Sequence, residues 1–490
     1  MEAAELFALA MGVVKPWLVK KVTLEEQERR VTIDLDFERG ARFTCSECGG
    51  AGLAVHDTET KRWRHLNFFQ HQAFITARVP RMRCPECGVR LVTVPWSRPG
   101  SGFTLLFEAM VVVLAKDMAV SATAKHAQVH PDSVWRILRH YVEKEQATTD
   151  LSGLGRLGMD ETAQLTGQDY VSTFCDMDRG VVVDVQKGRG RNTVLAFATV
   201  LEAHGGQAEQ VSVCSLDMSG AFLSGVNEAF PNATPVFDRF HVMKKTNEAV
   251  DAVRRNEARY RPVLAESRWV WLKREEHLTD RQRETFVRLK DMDLSTARAY
   301  QMKLALERVY EAQTGQEAEA LLESWITWAR RSRIRPMIQL ARTLDRHFAG
   351  IVAFARTHIT NAMVEGLNTK IKAAKRRAYG FRSFANYRTI ILLTCGGLRG
   401  FSETPGAGGK WPLWALFKAR SRARKRHWGC GKATVMGERV RRGHEGPSLV
   451  PAKLFAGGGW WRGETVKRLS RRPGGRSRQQ GRRPRPGCAS

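Results

Sequence analysis

The chain has 490 residues, 43% hydrophobic and 26% charged, and a formal net charge of +29. It is long enough for several cores and basic enough to favour a polyanion, of which nucleic acid is the commonest. No run of about 18 apolar residues occurs, so a membrane span is not expected, and MEAAELFALAMGVVKPW lacks the basic lead and cleavage site of a signal peptide. Nine cysteines, four of them in Cys-x-x-Cys pairs, suit a reducing, cytoplasmic compartment with one metal site better than a disulfide scaffold.

Residues 1–100 read as a zinc-finger module. Cys45, Cys48, Cys84 and Cys87 form two Cys-x-x-Cys knuckles, each followed by a glycine that permits the tight turn (Gly49, Gly88). Four thiolates make a closed tetrahedral site for one structural Zn²⁺. Redox chemistry is the alternative for a single pair, and His65 and His71 are competing ligands, although four thiolates already complete the shell. The intervening RWRHLNFFQHQAFITARVPRMRC predicts a hairpin leading into the second knuckle.

Residues 101–150 change to a helical period and predict a helix-turn-helix. FTLLFEAMVVVLAK and SATAKHAQ are followed, after VHPD, by SVWRILRHYVEKE. In that last helix Val134, Ile137, Leu138, Tyr141 and Val142 share one face, leaving Trp135, Arg136, Arg139 and His140 on the other as candidate DNA contacts. A helical hairpin that only packs is the alternative.

Residues 151–400 are of mixed α/β type. Strands are predicted at Arg156–Asp160, Tyr170–Asp176, Gly180–Gln186, Val211–Asp217 and Thr234–Asp238, with helices at about 193–204 and 219–230 and another starting near His241. This order is that of a ribonuclease-H-like core, interrupted by a helical insertion at about 250–355. Asp160 and Asp217 close neighbouring strands, and Glu365 lies on a basic amphipathic helix whose apolar stripe is Val364, Leu367, Ile371 and Ala374. Three carboxylates delivered this way could converge on two Mg²⁺ (or Mn²⁺) ions, the clamp that in-line attack on a phosphodiester requires. Glu161, on the opposite face of its strand, is the alternative to Asp160. Asp238 and His241 are possible accessory residues, while Asn361, Lys370, Lys372, Lys375, Arg376 and Arg377 suit the DNA backbone. Residues 401–490 carry +18 of the net charge, are rich in Gly, Pro and Arg, and predict a disordered basic tail. The fold class expected is therefore multidomain α+β.

GMDETA, SLDMSGAF, FPNATPVFDRFHVMKK and NAMVEGLNTKIKAAKRRAYGFRSFANYR resemble bacterial insertion-sequence transposases of the DDE class, more narrowly the ISL3 group. The resemblance covers roughly residues 10–400 and includes the four cysteines, the segment VPWSRPGSGFTLLFE and the helix-turn-helix. It implies that Asp160, Asp217 and Glu365 are the catalytic and Mg²⁺-binding triad, with Asp238 and His241 matching an Asp-x-x-His element. It also implies a polynucleotidyl transferase that recognises double-stranded DNA at terminal inverted repeats. Such an enzyme nicks there, joins the freed 3′-hydroxyl to target DNA and works as a homo-oligomer on paired ends. The competing readings are a zinc-containing helix-turn-helix regulator, a nuclease that cuts without joining, and an inactive transposase copy. The carboxylate triad argues against the first and third, and two DNA-reading modules argue against the second.

Overall fold

Alternation of apolar and polar residues builds an N-terminal sheet that is larger than the hairpin expected. In the computed structural model, which describes residues 2–164, 169–237, 239–357 and 362–397, helix α1 (Ala3–Met11) precedes β1 (Trp17–Glu25) and β2 (Arg30–Phe37). The hairpin follows as β3 (Val55–Arg64) and β4 (Gln72–Cys84), and β5 (Gly88–Leu91) folds back on β4. The order is β1-β2-β4-β3, with β2 and β4 parallel. In RVTIDLDF, residues Val31, Ile33 and Leu35 point inward onto Ile75, Val79 and Met82, forming a small core. That period-two pattern is plain in the sequence.

The helix-turn-helix follows as α2 (Leu105–Asp117), α3 (Val120–Ala127) and α4 (Pro131–Ala147). Val134, Ile137, Leu138 and Val142 are buried, while the Tyr141 hydroxyl reaches the fully buried Glu108 at 2.7 Å. Glu108 also accepts from Arg98 Nε at 3.0 Å and the Ser101 hydroxyl at 2.7 Å, so the incoming segment and α4 are tied to one carboxylate. The buried Arg64 guanidinium lies 5.3 Å from the ring centroids of both Phe74 and Phe107, linking the first sheet to α2.

The second sheet is built from β6 (Arg156–Ala163), β7 (Tyr170–Asp176), β8 (Val181–Lys187), β9 (Val213–Leu216) and β10 (Thr234–Phe237), in the order β10-β9-β6-β7-β8. β6, β7 and β8 form an antiparallel meander, whereas β9 and β10 run parallel to β6. Helices α5 (Arg191–Ala203) and α6 (Gly220–Ala229) make the crossovers, and α7 (Arg239–Glu257) leaves the sheet. β6 runs past Asp160 to Ala163, where the alternation of the sequence had suggested an end at Asp160.

The inserted helices are α8 (Arg268–Leu272), α9 (Asp280–Lys290), α10 (Ser295–Val309), α11 (Gly315–Arg331), α12 (Arg335–Arg346) and α13 (Phe348–Thr357). α9 starts on a capping box, with Gln282 N–H donating to Thr279 Oγ1 and the Gln282 side chain accepting from Thr279 N–H. This block shares a core with one face of the sheet, where Leu157, Met159, Phe174, Cys214 and Leu216 project. On the other face lie α14 (Ala362–Arg377) and α15 (Phe384–Cys395), whose core is continuous with that of the helix-turn-helix. No helix among the described residues is long and apolar enough to cross a membrane.

Candidate active site and metal centres

Cys45, Cys48, Cys84 and Cys87 bring one sulfur each within 4.8 Å of one another, and among the described residues no histidine joins them. The Cys48–Cys84 separation is 3.5 Å, close to the edge of about 3.8 Å for a tetrahedron with Zn–S bonds of about 2.3 Å. The Cys48 and Glu47 N–H groups stabilise the Cys45 thiolate and lower its pKa to about 7. At Cys48 the Gly50 N–H acts in the same direction, but crowding by Cys84, Cys87 and Cys45 outweighs it and pushes the thiol up to about 12. Such a set is poised to share a soft divalent cation and fits a structural zinc. His65 faces elsewhere, with Nδ1 2.9 Å from Thr104 Oγ1.

The second site forms on the face of the sheet that carries α14. Parallel pairing matches Arg156 with Val213, Leu157 with Cys214 and Gly158 with Ser215. Alternation puts Asp160 of β6 and Asp217, just past the end of β9, on one face, near enough for the Asp217 charge to act on Asp160. Leu157, Met159, Cys214 and Leu216 go to the opposite face, as alternation requires. Asp217 follows the last residue of β9, and its Oδ1 accepts Ser219 N–H at 2.9 Å.

Helix α14 lies along β6. Val364 packs on Gly158, where an added Cβ would stand 2.5 Å from Val364 Cγ2. Asn368 Nδ2 donates to Asp160 Oδ2, and Lys375 Nζ donates to Ala163 O at 2.6 Å. Five strand steps and eleven helix steps both cover about 16 Å, so the two elements stay in step. Glu365 is exposed in the first turn of α14, one turn before Asn368.

Electrostatics couple these groups. Burial raises the Asp160 pKa, and the Asp217 charge adds to that. Glu161 N–H, His241 and Lys372 pull it down. Burial, Asp217 and Asp160 likewise raise Glu161, with Arg189 opposing them. Asp160, Asp217, Glu161, His241 and Lys372 therefore share one field. Among the described residues the thiolates are the one set of three or more ligand atoms meeting within 4.8 Å, so Asp160, Asp217 and Glu365 do not converge that closely. Asp238, Asn361 and residues 401–490 lie outside the described residues.

The candidate DNA contacts divide by exposure. Arg136, Lys370, Lys372 and Arg376 are exposed. Arg139 instead donates to Asn386 Oδ1 of α15 at 2.9 Å, Trp135 packs against the helix-turn-helix core, and His140 lies 5.2 Å from the Tyr141 ring. Arg377 donates to Lys116 O at 3.1 Å. The role of Asn368 escaped the sequence reading, although its signal was present. It falls on the stripe of Val364, Leu367 and Ile371, and a buried amide demands a partner.

Three family models match in chain order. A zinc-finger of transposase IS204/IS1001/IS1096/IS1165 matches residues 41–87. The helix-turn-helix domain of transposase family ISL3 matches 92–142, and the ISL3 transposase domain matches 157–391. The chain is 29% identical over 440 residues to the transposase for insertion sequence element IS1557 of Mycobacterium tuberculosis (strain ATCC 25618 / H37Rv), covering 81% of this chain and 97% of that protein. It is 28% identical over 349 residues to the transposase for insertion sequence element IS1001 of Bordetella parapertussis, covering 69% of this chain and 85% of that protein. With zinc finger, helix-turn-helix and DDE domain in that order, the chain belongs to the ISL3 family of insertion-sequence transposases, DNA-binding proteins that move mobile elements.

Proposed function

We propose that this transposase binds the terminal inverted repeats of its element, cleaves there and joins the freed 3′-hydroxyl to target DNA. Asp160, Asp217 and Glu365 would be the catalytic carboxylates. The observation that carries this reading is the charge coupling of Asp160 on β6 with Asp217, just past the end of the adjacent parallel strand β9, on the face where α14, the helix of Glu365, is docked. Strand order β8-β7-β6-β9-β10 with β7 antiparallel supports a ribonuclease-H-like core.

The donor set fits divalent magnesium or manganese. It consists of hard carboxylate oxygens, and the mutual repulsion of Asp160 and Asp217 is a cost that a cation between them would relieve. When bound, two such ions would activate the attacking oxygen and stabilise the leaving one. His241 and Lys372 partly offset the burial that raises the Asp160 pKa. The Ser219 N–H orients Asp217. Lys370, Lys372 and Arg376 offer exposed cations to the DNA backbone. Arg136 is the exposed member of the α4 set and the best placed to enter a groove. Trp135, Arg139 and His140 then support the helix rather than read bases. Because cleavage at two ends must be coordinated, the working form is a homo-oligomer in the bacterial cytoplasm, at the nucleoid.

A strand-transfer assay with end-bearing oligonucleotides, supercoiled target and Mg²⁺ tests the reading. Asp217→Asn should bind the ends and form no joined product. Joining at the parent rate would refute the assignment.

A further inference from the structure

Asn368 is 3% exposed, on an otherwise apolar stripe of α14. Its amide donates to Asp160 Oδ2. The other oxygen, Oδ1, accepts the Glu161 N–H at 2.7 Å. The carboxylate is thus gripped from two elements, its own strand and the helix of Glu365. An ionised carboxylate oxygen has two lone-pair sites, so each oxygen keeps one for a further partner.

Packing alone does not call for an amide here. Val364 against Gly158 and Lys375 on the Ala163 carbonyl already seat the helix. An apolar side chain at 368 would complete the stripe without the desolvation cost of a buried amide.

We propose that Asn368 is a positioning residue, its amide fixing the Asp160 carboxylate in the orientation that binds a divalent cation. It thereby links that orientation to the docking of the helix carrying Glu365. The inference rests on the reading of Asp160 as a cation ligand. Partners that orient metal ligands typically cost 10–100-fold in metal affinity when removed.

The test uses the full-length, zinc-loaded protein on end-bearing DNA, with parent, Asn368→Leu, Asn368→Ala and Asp160→Asn compared. Mn²⁺ binding is measured from the loss of the free-ion paramagnetic resonance signal, corrected for DNA alone, and end cleavage is followed in parallel. DNA affinity without added Mn²⁺ or Mg²⁺, and melting temperature, report on the fold. Both Asn368 variants should bind Mn²⁺ about 10–100-fold more weakly with end affinity in the absence of added Mn²⁺ or Mg²⁺ unchanged, and Asp160→Asn should neither bind that Mn²⁺ nor cleave. If Asn368→Leu fails to fold, Asn368→Ala, which adds no bulk, decides the matter. Unchanged Mn²⁺ affinity in the folded Asn368 variants, with Asp160→Asn inactive, would overturn this assignment alone. Normal Mn²⁺ binding and cleavage by Asp160→Asn would overturn both it and the reading on which it rests.

Discussion

Glu365 and His65 illustrate how differently single residues bear on this molecule. Glu365 is exposed in the first turn of α14, so its replacement should leave the fold almost untouched. Glu365→Gln is expected to shift stability by less than about 0.5 kcal/mol while end cleavage falls by about 10³-fold, equivalent to about 4 kcal/mol. Thermal melting and a cleavage time course check the two halves. His65 acts on stability instead. Burial, with the Arg64 charge beside it, lowers its pKa from 6.5 to about 4, and Thr104 can donate to Nδ1 only while the ring is neutral. Between those values the unfolded chain binds a proton that the folded chain refuses, so stability must fall as pH drops from 6.5 towards 4. Since the ring is only partly buried, the expected loss is about 1–2 kcal/mol. Melting of the parent minus His65→Asn across this range should show it, because acid effects on the zinc site cancel in the difference.

Helix α14 on strand β6 is the element pair on which the site depends. Gly158 lets them touch, and the Cβ of Gly158→Ala would sit 2.5 Å from Val364 Cγ2. The helix must move out, taking Asn368 and Glu365 with it. Overpacking of this kind costs about 1–3 kcal/mol. Cleavage is expected to fall at least 100-fold, about 3 kcal/mol in the barrier, while zinc content and end binding persist. An assay of cleavage beside a binding titration separates these outcomes. In the zinc finger the opposite pattern should hold. Cys84→Ser removes one of four thiolates, so zinc content and specific end binding should be lost together, as metal analysis and footprinting would register.

The same elements explain what was legible in the sequence. Knuckles and the stripe of α14 are local patterns, and Cys45, Cys48, Cys84 and Cys87 meet as their spacing implied, whereas β6 runs on to Ala163. RVTIDLDF carries an equally local, period-two signal for β2. Arg139 is another matter. A helical wheel marks it as outward, but its partner Asn386 lies 247 residues away, and only the folded chain brings α15 there. The stripe of α14 marks Asn368 as buried, but its partner Asp160 lies 208 residues away and only the fold supplies it.

At the scale of the whole molecule, charge and shared cores set the behaviour. The chain carries +29, of which residues 401–490 contribute +18. Deleting those residues should weaken non-specific DNA binding and flatten the dependence of log affinity on log salt. Footprints on the terminal repeats should survive, because the zinc finger and helix-turn-helix remain. Fluorescence anisotropy at several salt concentrations measures the slope. The helix-turn-helix core continues into the face of the sheet that bears Asp160, and Arg64 clamps the first sheet to α2. The helix-turn-helix and the face bearing Asp160 therefore belong to one packed framework. Whether that face gathers Asp160, Asp217 and Glu365 around cations is decided by anomalous diffraction at the manganese edge from full-length protein on cleaved end DNA. Manganese within about 2.0–2.3 Å of carboxylate oxygens of Asp160, Asp217 and Glu365 is the expected result. Manganese bound elsewhere on the DNA-loaded protein, with those three carboxylates apart, would contradict it.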